Sequence, residues 1–190
     1  MRIKDQLKLE AIIHATIQLV NEIGFVSSSV SKIAKKANVS PATLYVYFKN
    51  KEDLLTSTYI AIKEKMSLAL LKEFDDSKPF RDIILNFWKN GFEFVRTNRA
   101  LYQYAEQFSN SPYYDLVDHK EIEKHFEPMI KVLQKGIEQK VIKDVSFEIL
   151  AAFMFYPIMI LSNSRISKNN EINDSTIESA FQLAWDAIKL

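Results

Sequence analysis

The chain has 190 residues, 47% apolar and 26% charged, which is enough for one large or two small domains with apolar cores and excludes a disordered or fibrous chain. It has no cysteine, which excludes disulfide scaffolds, thiol nucleophiles and thiolate metal sites; its three glycines, Gly24, Gly91 and Gly136, cannot compose a phosphate-cradling loop. The net charge of +1 is divided unevenly, since residues 1–51 carry eight Lys or Arg against three acids (+5) and residues 52–190 carry 17 against 21 (−4). A basic module on a mildly acidic body suits a polyanionic partner.

With few turn residues and five scattered prolines, the composition predicts an all-α fold. Ile12, Ala15, Leu19 and Ile23 follow helical spacing and predict a first helix over residues 4–23, ended by Gly24 as a left-handed residue. Ser28 and Ser29 can cap a second helix that buries Val30, Ile33, Ala34 and Ala37 and ends near Ala37. Asn38 tolerates positive φ, and Ser40 followed by Pro41 reads as an N-cap with proline at the first helical position. A third helix over 41–48 then turns Leu44 and Phe48 inward and leaves Ala42, Thr43, Tyr45, Val46 and Tyr47 to the other faces, with an exposed tyrosine pair.

Asn50 can cap a fourth helix to about Phe74, with Leu55, Thr58, Ile62 and Met66 on one face. Lys51 opposes the dipole at its start unless an anion sits there too. Farther on, residues 76–79 predict a helix start running to about Thr97, residues 99–108 intervene, and Ser111-Pro112 predicts another start near Tyr113 that runs to about Val141 with a kink at Pro128. An apolar helix over 146–164 with Pro157 inside, a polar loop over 167–175 and a last helix striped by Ile177, Phe181, Ala184 and Ile188 complete about nine helices. The longest apolar run, 149–161, is shorter than the roughly 20 residues a bilayer requires, and no export signal opens the chain, so a soluble cytoplasmic protein is expected.

Two short helices joined by a tight turn and buttressed by the first compose a helix-turn-helix, which is either a purely structural corner or a motif whose second member enters a major groove. Gly24-Phe25, the segment SSVSKIAKKA at 28–37 and the segment NVSPATLYVYFKNKEDLL at 38–55 resemble the N-terminal domain of tetracycline-repressor (TetR) family regulators, over about residues 9–55. Asn38 stands at a turn position usually held by glycine, and Ser28 and Ser29 stand where threonine is common. The resemblance implies phosphate contacts from Ser29, Ser40, Tyr47 and Lys51, and base contacts from Ser31, Pro41, Ala42, Thr43, Tyr45 and Val46. Because residues 41–48 hold no Arg, Asn or Gln, bidentate base pairings are absent there, and modest, thymine-leaning specificity is expected from Ala42, Thr43 and Val46. Lys32, Lys35 and Lys36 are either backbone contacts or a solvated helix face.

The resemblance further implies a DNA-binding domain at 1–50 and a ligand-binding and dimerisation domain at 51–190. Its expected effector pocket lies among Phe87, Trp88, Asn90, Tyr102, Gln107, Phe108, Tyr114 and Phe126, and its homodimer pairs through the last two helices. The expected partners are a palindromic double-stranded operator and a small hydrophobic or aromatic effector, with no cofactor. His119 and His125, six residues apart, do not share a helix face as a zinc pair requires, and no catalytic set of Ser, His and acid stands out, so neither a metal site nor an enzyme is expected. A helical small-molecule carrier that has lost DNA binding is the remaining alternative.

Overall fold

The computed structural model describes residues 3–162 and 173–190. Among these it is all-α, with α1 (Ile3–Ser27), α2 (Val30–Lys36), α3 (Pro41–Tyr47), α4 (Lys51–Leu70), α5 (Phe80–Thr97), α6 (Arg99–Ser109), α7 (His119–Glu138), α8 (Phe147–Ser162) and α9 (Asp174–Ile188). A 3₁₀ turn at Tyr114–Leu116 and an isolated bridge between Ile142 and Lys189 accompany them.

Several boundaries differ from the sequence expectation for local reasons. Gly24 does break α1, but at φ 76 and ψ 169, outside the left-handed helical well, and helical turns resume to Ser27. Helix α3 stops at Tyr47 because Phe48 is extended, which carries its ring into the core. Helix α4 ends at Leu70, before Glu73 takes positive φ. Asp75 accepts from the Ser77 amide and hydroxyl in a turn, so α5 begins only after Pro79.

The helix expected from Tyr113 is replaced by the 3₁₀ turn, and α7 opens at His119, where the Asp118 carboxylate accepts from the Lys120 amide at 3.0 Å. Burial of Val117 in extended conformation separates the two. Asn173 caps α9 through the Thr176 amide, which makes residues 174 and 175 helical; residues 163–172 of the expected loop and helix end lie outside the described residues.

Packing divides the chain into two compact units, Met1–Glu64 with Arg99–Ile122 and Lys65–Asn98 with Glu123–Leu190. In the first unit α1 is buried on two sides. Ile12, Ala15 and Leu19 meet Ile33, Ala34, Leu44, Phe48 and Leu54. Ile17 and Val20 meet Leu55, Tyr59, Ile62, Tyr104, Phe108 and Val117. By length and apolarity the segment Asp5–Ser27 passes for a membrane span, but Ile12, Ala15, Ile17, Leu19 and Val20 of it are buried in these two cores. In the second unit Trp88, Phe87, Phe92, Met154, Ile158 and Phe181 are buried, and the Trp88 indole donates to the Met154 carbonyl. Gly136 permits a close approach there, since a Cβ would lie 2.3 Å from the Phe80 ring.

Around Gly24 the space is open, so a side chain meets backbone strain alone. Gly24→Ala is expected to destabilise the protein by about 1–3 kcal/mol, the cost of holding a non-glycine residue in that region. Urea unfolding measures it, and an unchanged midpoint contradicts the assignment.

Candidate nucleic-acid interface

The short helices α2 and α3 depend on caps, because helices of seven residues are not stable alone. The Ser29 hydroxyl accepts from the Lys32 amide at 3.3 Å, and buried Ser28 donates to the Gly24 carbonyl at 2.7 Å. Asn38 takes φ 55, as its residue type suggests, and the Val39 amide closes the turn on the Ala34 carbonyl. Ser40 accepts from the Thr43 amide at 3.2 Å, pairs with the Thr43 hydroxyl at 2.9 Å, and is followed by Pro41 at the helix start.

Leu44 and Phe48 anchor α3 in the core. At 100° per residue the opposite face is centred on Ala42 and Val46, with Thr43 and Tyr45 on its flanks. Pro41, Ala42, Tyr45 and Val46 are exposed, as are Ser29, Ser31 and Ser40, while Thr43, Tyr47 and Lys51 are half-buried. Ten residues named from the sequence thus fall on one helix-turn-helix and its edge.

Two of them have internal partners that the sequence does not reveal. The Tyr47 hydroxyl donates to the Asp5 carbonyl at 3.3 Å, and burial, followed by the Asp5 charge, raises its pKa. The tyrosines are therefore not an equally exposed pair. Lys51 donates from Nζ to the Phe25 carbonyl at 2.7 Å and to the Val26 carbonyl at 3.5 Å. A cation at the start of α4 is thereby explained within the chain, by carbonyls at the end of α1. That helix start is capped reciprocally, with Asn50 accepting from the Asp53 amide and Asp53 from the Lys49 amide, each at 2.7 Å. Lys32 donates to the Ser27 carbonyl at 3.0 Å and Lys36 pairs with Glu22 at 2.7 Å, whereas Lys35 is exposed.

Residues 12–58 match the model described as bacterial regulatory proteins, tetR family, and residues 79–189 match the tetracyclin repressor-like C-terminal domain. The chain belongs to the TetR family. A TetR family transcription regulator of Marinobacter aquaeolei VT8, known from its crystal structure, is 34% identical with a TM-score of 0.91, covering 100% of this chain and 99% of that one. An uncharacterized HTH-type transcriptional regulator of Haemophilus influenzae is 28% identical over 182 residues, 95% of each chain. The fatty acid metabolism regulator protein of Bacillus subtilis is 45% identical over 71 residues, 37% of this chain and 35% of its own length. This TetR-family chain is a DNA-binding transcription regulator and not an enzyme.

The residues expected to line its effector pocket are divided between the packing units. In the first, Phe108 is fully buried and stacks on Tyr59 at 4.4 Å, Tyr102 is half-buried, and Tyr114 meets His119 at 4.6 Å. Gln107 donates to Asn21 at 3.0 Å and lines an open groove of about 750 Å³ with Phe25, Val26 and Tyr113. In the second, Phe87 and Trp88 are fully buried, Asn90 donates to the Leu70 and Lys72 carbonyls, and Phe126 is half-buried.

Sequence reasoning gives Phe25 no role beyond the family resemblance, and its ring meets Tyr104, Phe108 and Tyr113. It also passed over Lys63, which lies over the Tyr59 ring and whose amine burial pushes below the ordinary lysine value. Their spacing carries no signal that separates them from core or surface residues.

Ser40→Ala is expected to lower stability by about 1 kcal/mol through loss of the α3 cap. Urea denaturation reads the change, and a variant as stable as wild type contradicts the capping role.

Proposed function

We propose that this regulator is a ligand-responsive repressor that binds a palindromic operator as a homodimer and is released by a small hydrophobic or aromatic effector. The observation that carries the reading is the seating of α3: its apolar side is fixed in the core by Leu44 and Phe48, and its opposite side is turned to solvent on the basic part of the chain. Ser29, Ser40, Tyr47 and Lys51 hold phosphates, and Ser31, Pro41, Ala42, Thr43, Tyr45 and Val46 face bases. Residues 1–50 serve DNA binding and residues 51–190 serve effector binding and dimerisation, in the cytoplasm.

Dimerisation is supported by an apolar stripe on α8, where Ile149, Phe153 and Tyr156 recur at helical spacing and are about half exposed, and by Leu183 of α9, 74% exposed. Such a surface is costly in water and suits a second copy. Within the first packing unit Tyr102, Gln107, Phe108 and Tyr114 provide apolar surface and polar handles for the effector, and Phe87, Trp88, Asn90 and Phe126 belong to the second. Helix α4 contributes residues to both packing units and carries Lys51 at its start. An effector that prefers one tilt of α4 changes the separation of two α3 helices, which must match major grooves about 34 Å apart.

Lys51→Ala is expected to weaken binding to every DNA sequence and to reduce the slope of log affinity against log salt by about one. Fluorescence anisotropy across a salt series reads this, with a melting curve to register the lost Phe25 bond separately. An unchanged slope removes Lys51 from the phosphate contacts. Phe153→Asp is expected to yield a monomer in sedimentation velocity with weakened operator binding; a dimer of unchanged affinity contradicts the α8 interface.

A further inference from the structure

We propose that the exposed face of α3 reads the C5-methyl groups of pyrimidines, so that 5-methylcytosine substitutes for thymine at the bases it touches. This rests on the DNA-binding reading above and adds the chemistry by which the bases are distinguished. The seven residues of α3, PATLYVY, contain no charged or amide side chain. Its hydroxyls are largely committed elsewhere: Thr43 pairs with Ser40 at 2.9 Å, and Tyr47 donates to the Asp5 carbonyl. The outward face is therefore composed of the Ala42 and Val46 methyls and the Tyr45 ring, with half-buried Thr43 at its edge and the Tyr45 phenol as its polar atom.

Val46 is 79% exposed and Tyr45 58% exposed, an apolar patch on the most basic part of the chain. The positive charge selects a polyanion, and the patch selects a polyanion that offers apolar groups. In the DNA major groove those groups are the thymine methyls. A thymine and a 5-methylcytosine present the same methyl at C5 and differ in the neighbouring group, a carbonyl acceptor in one and an amino donor in the other. Guanidinium, amide and carboxylate side chains distinguish these edges, and α3 has none of them. Methylation of a cytosine at a contacted position therefore strengthens binding.

The test uses the full chain and an operator recovered by it from random DNA. Thymines are replaced one at a time by deoxyuridine, which removes the methyl and keeps the pairing edge, and each position is also made as cytosine and as 5-methylcytosine. At contacted positions deoxyuridine is expected to weaken binding about fourfold, and 5-methylcytosine to bind about fourfold more tightly than cytosine, the worth of one buried methyl. Val46→Ala is expected to bring both ratios toward one at the positions Val46 covers; its side chain is exposed, so a melting temperature equal to wild type confirms folding. A specific operator indifferent to both replacements overturns methyl reading and leaves the regulator reading standing. Failure to recover any preferred sequence overturns both.

Discussion

The carbonyl and the ring of Phe25 hold two parts of one packing unit together. Gly24, at positive φ, kinks α1 near its end, so that the Phe25 ring enters the Tyr104, Phe108 and Tyr113 cluster while its carbonyl accepts from Lys51. One residue later in the same turn is Val26, and buried Ser28 closes back on Gly24 before α2 begins. The passage from α1 to α2 is thus held by the glycine backbone, the long-range Lys51 bond and the local Ser28 bond. Under the phosphate contact proposed for Lys51, the charge that bonds the end of α1 is the same one that meets DNA.

A seven-residue helix contributes little of its own stability, so α3 is held by what surrounds it. Ser40 and Pro41 set its start, extended Phe48 sets its end, and Leu44 with Phe48 supplies the buried contact. This division of labour frees the far side from any structural duty. Val46 and Tyr45 can remain in water because the fold does not need them inside, which turns a poor surface for a soluble protein into a usable one for a groove.

The N-terminal module was legible because its determinants are local. Cap residues, the αL tolerance of Asn38 and the three-and-four spacing of Val30, Ile33, Ala34 and Ala37 act within a turn or two of themselves. Tyr47 and Lys51 were legible as edge residues but not in their bonding, since Asp5 and Phe25 lie 42 and 26 residues away along the chain. The start of α7 was misplaced for a related reason: Ser111-Pro112 has the form of a helix opening, yet burial of Val117 in extended conformation overrides it and moves the start to His119. In the body, aromatic residues signal apolar surroundings without distinguishing a filled core from a pocket. Phe87, Trp88 and Phe108 are fully buried, while Tyr102, Tyr114 and Phe126 are half-buried, and no period in the sequence separates the two groups.

In the proposed complex two copies of this module present α3 to DNA as a symmetric pair. Its most direct measurement is selection of bound fragments from a random DNA library by the full chain at about 0.15 M salt, where surface charge is strongly screened. A symmetric pair enriches one two-fold symmetric sequence whose half-sites are centred about one helical turn, or a multiple of it, apart. Enrichment of no sequence, or of a single half-site without symmetry, contradicts it.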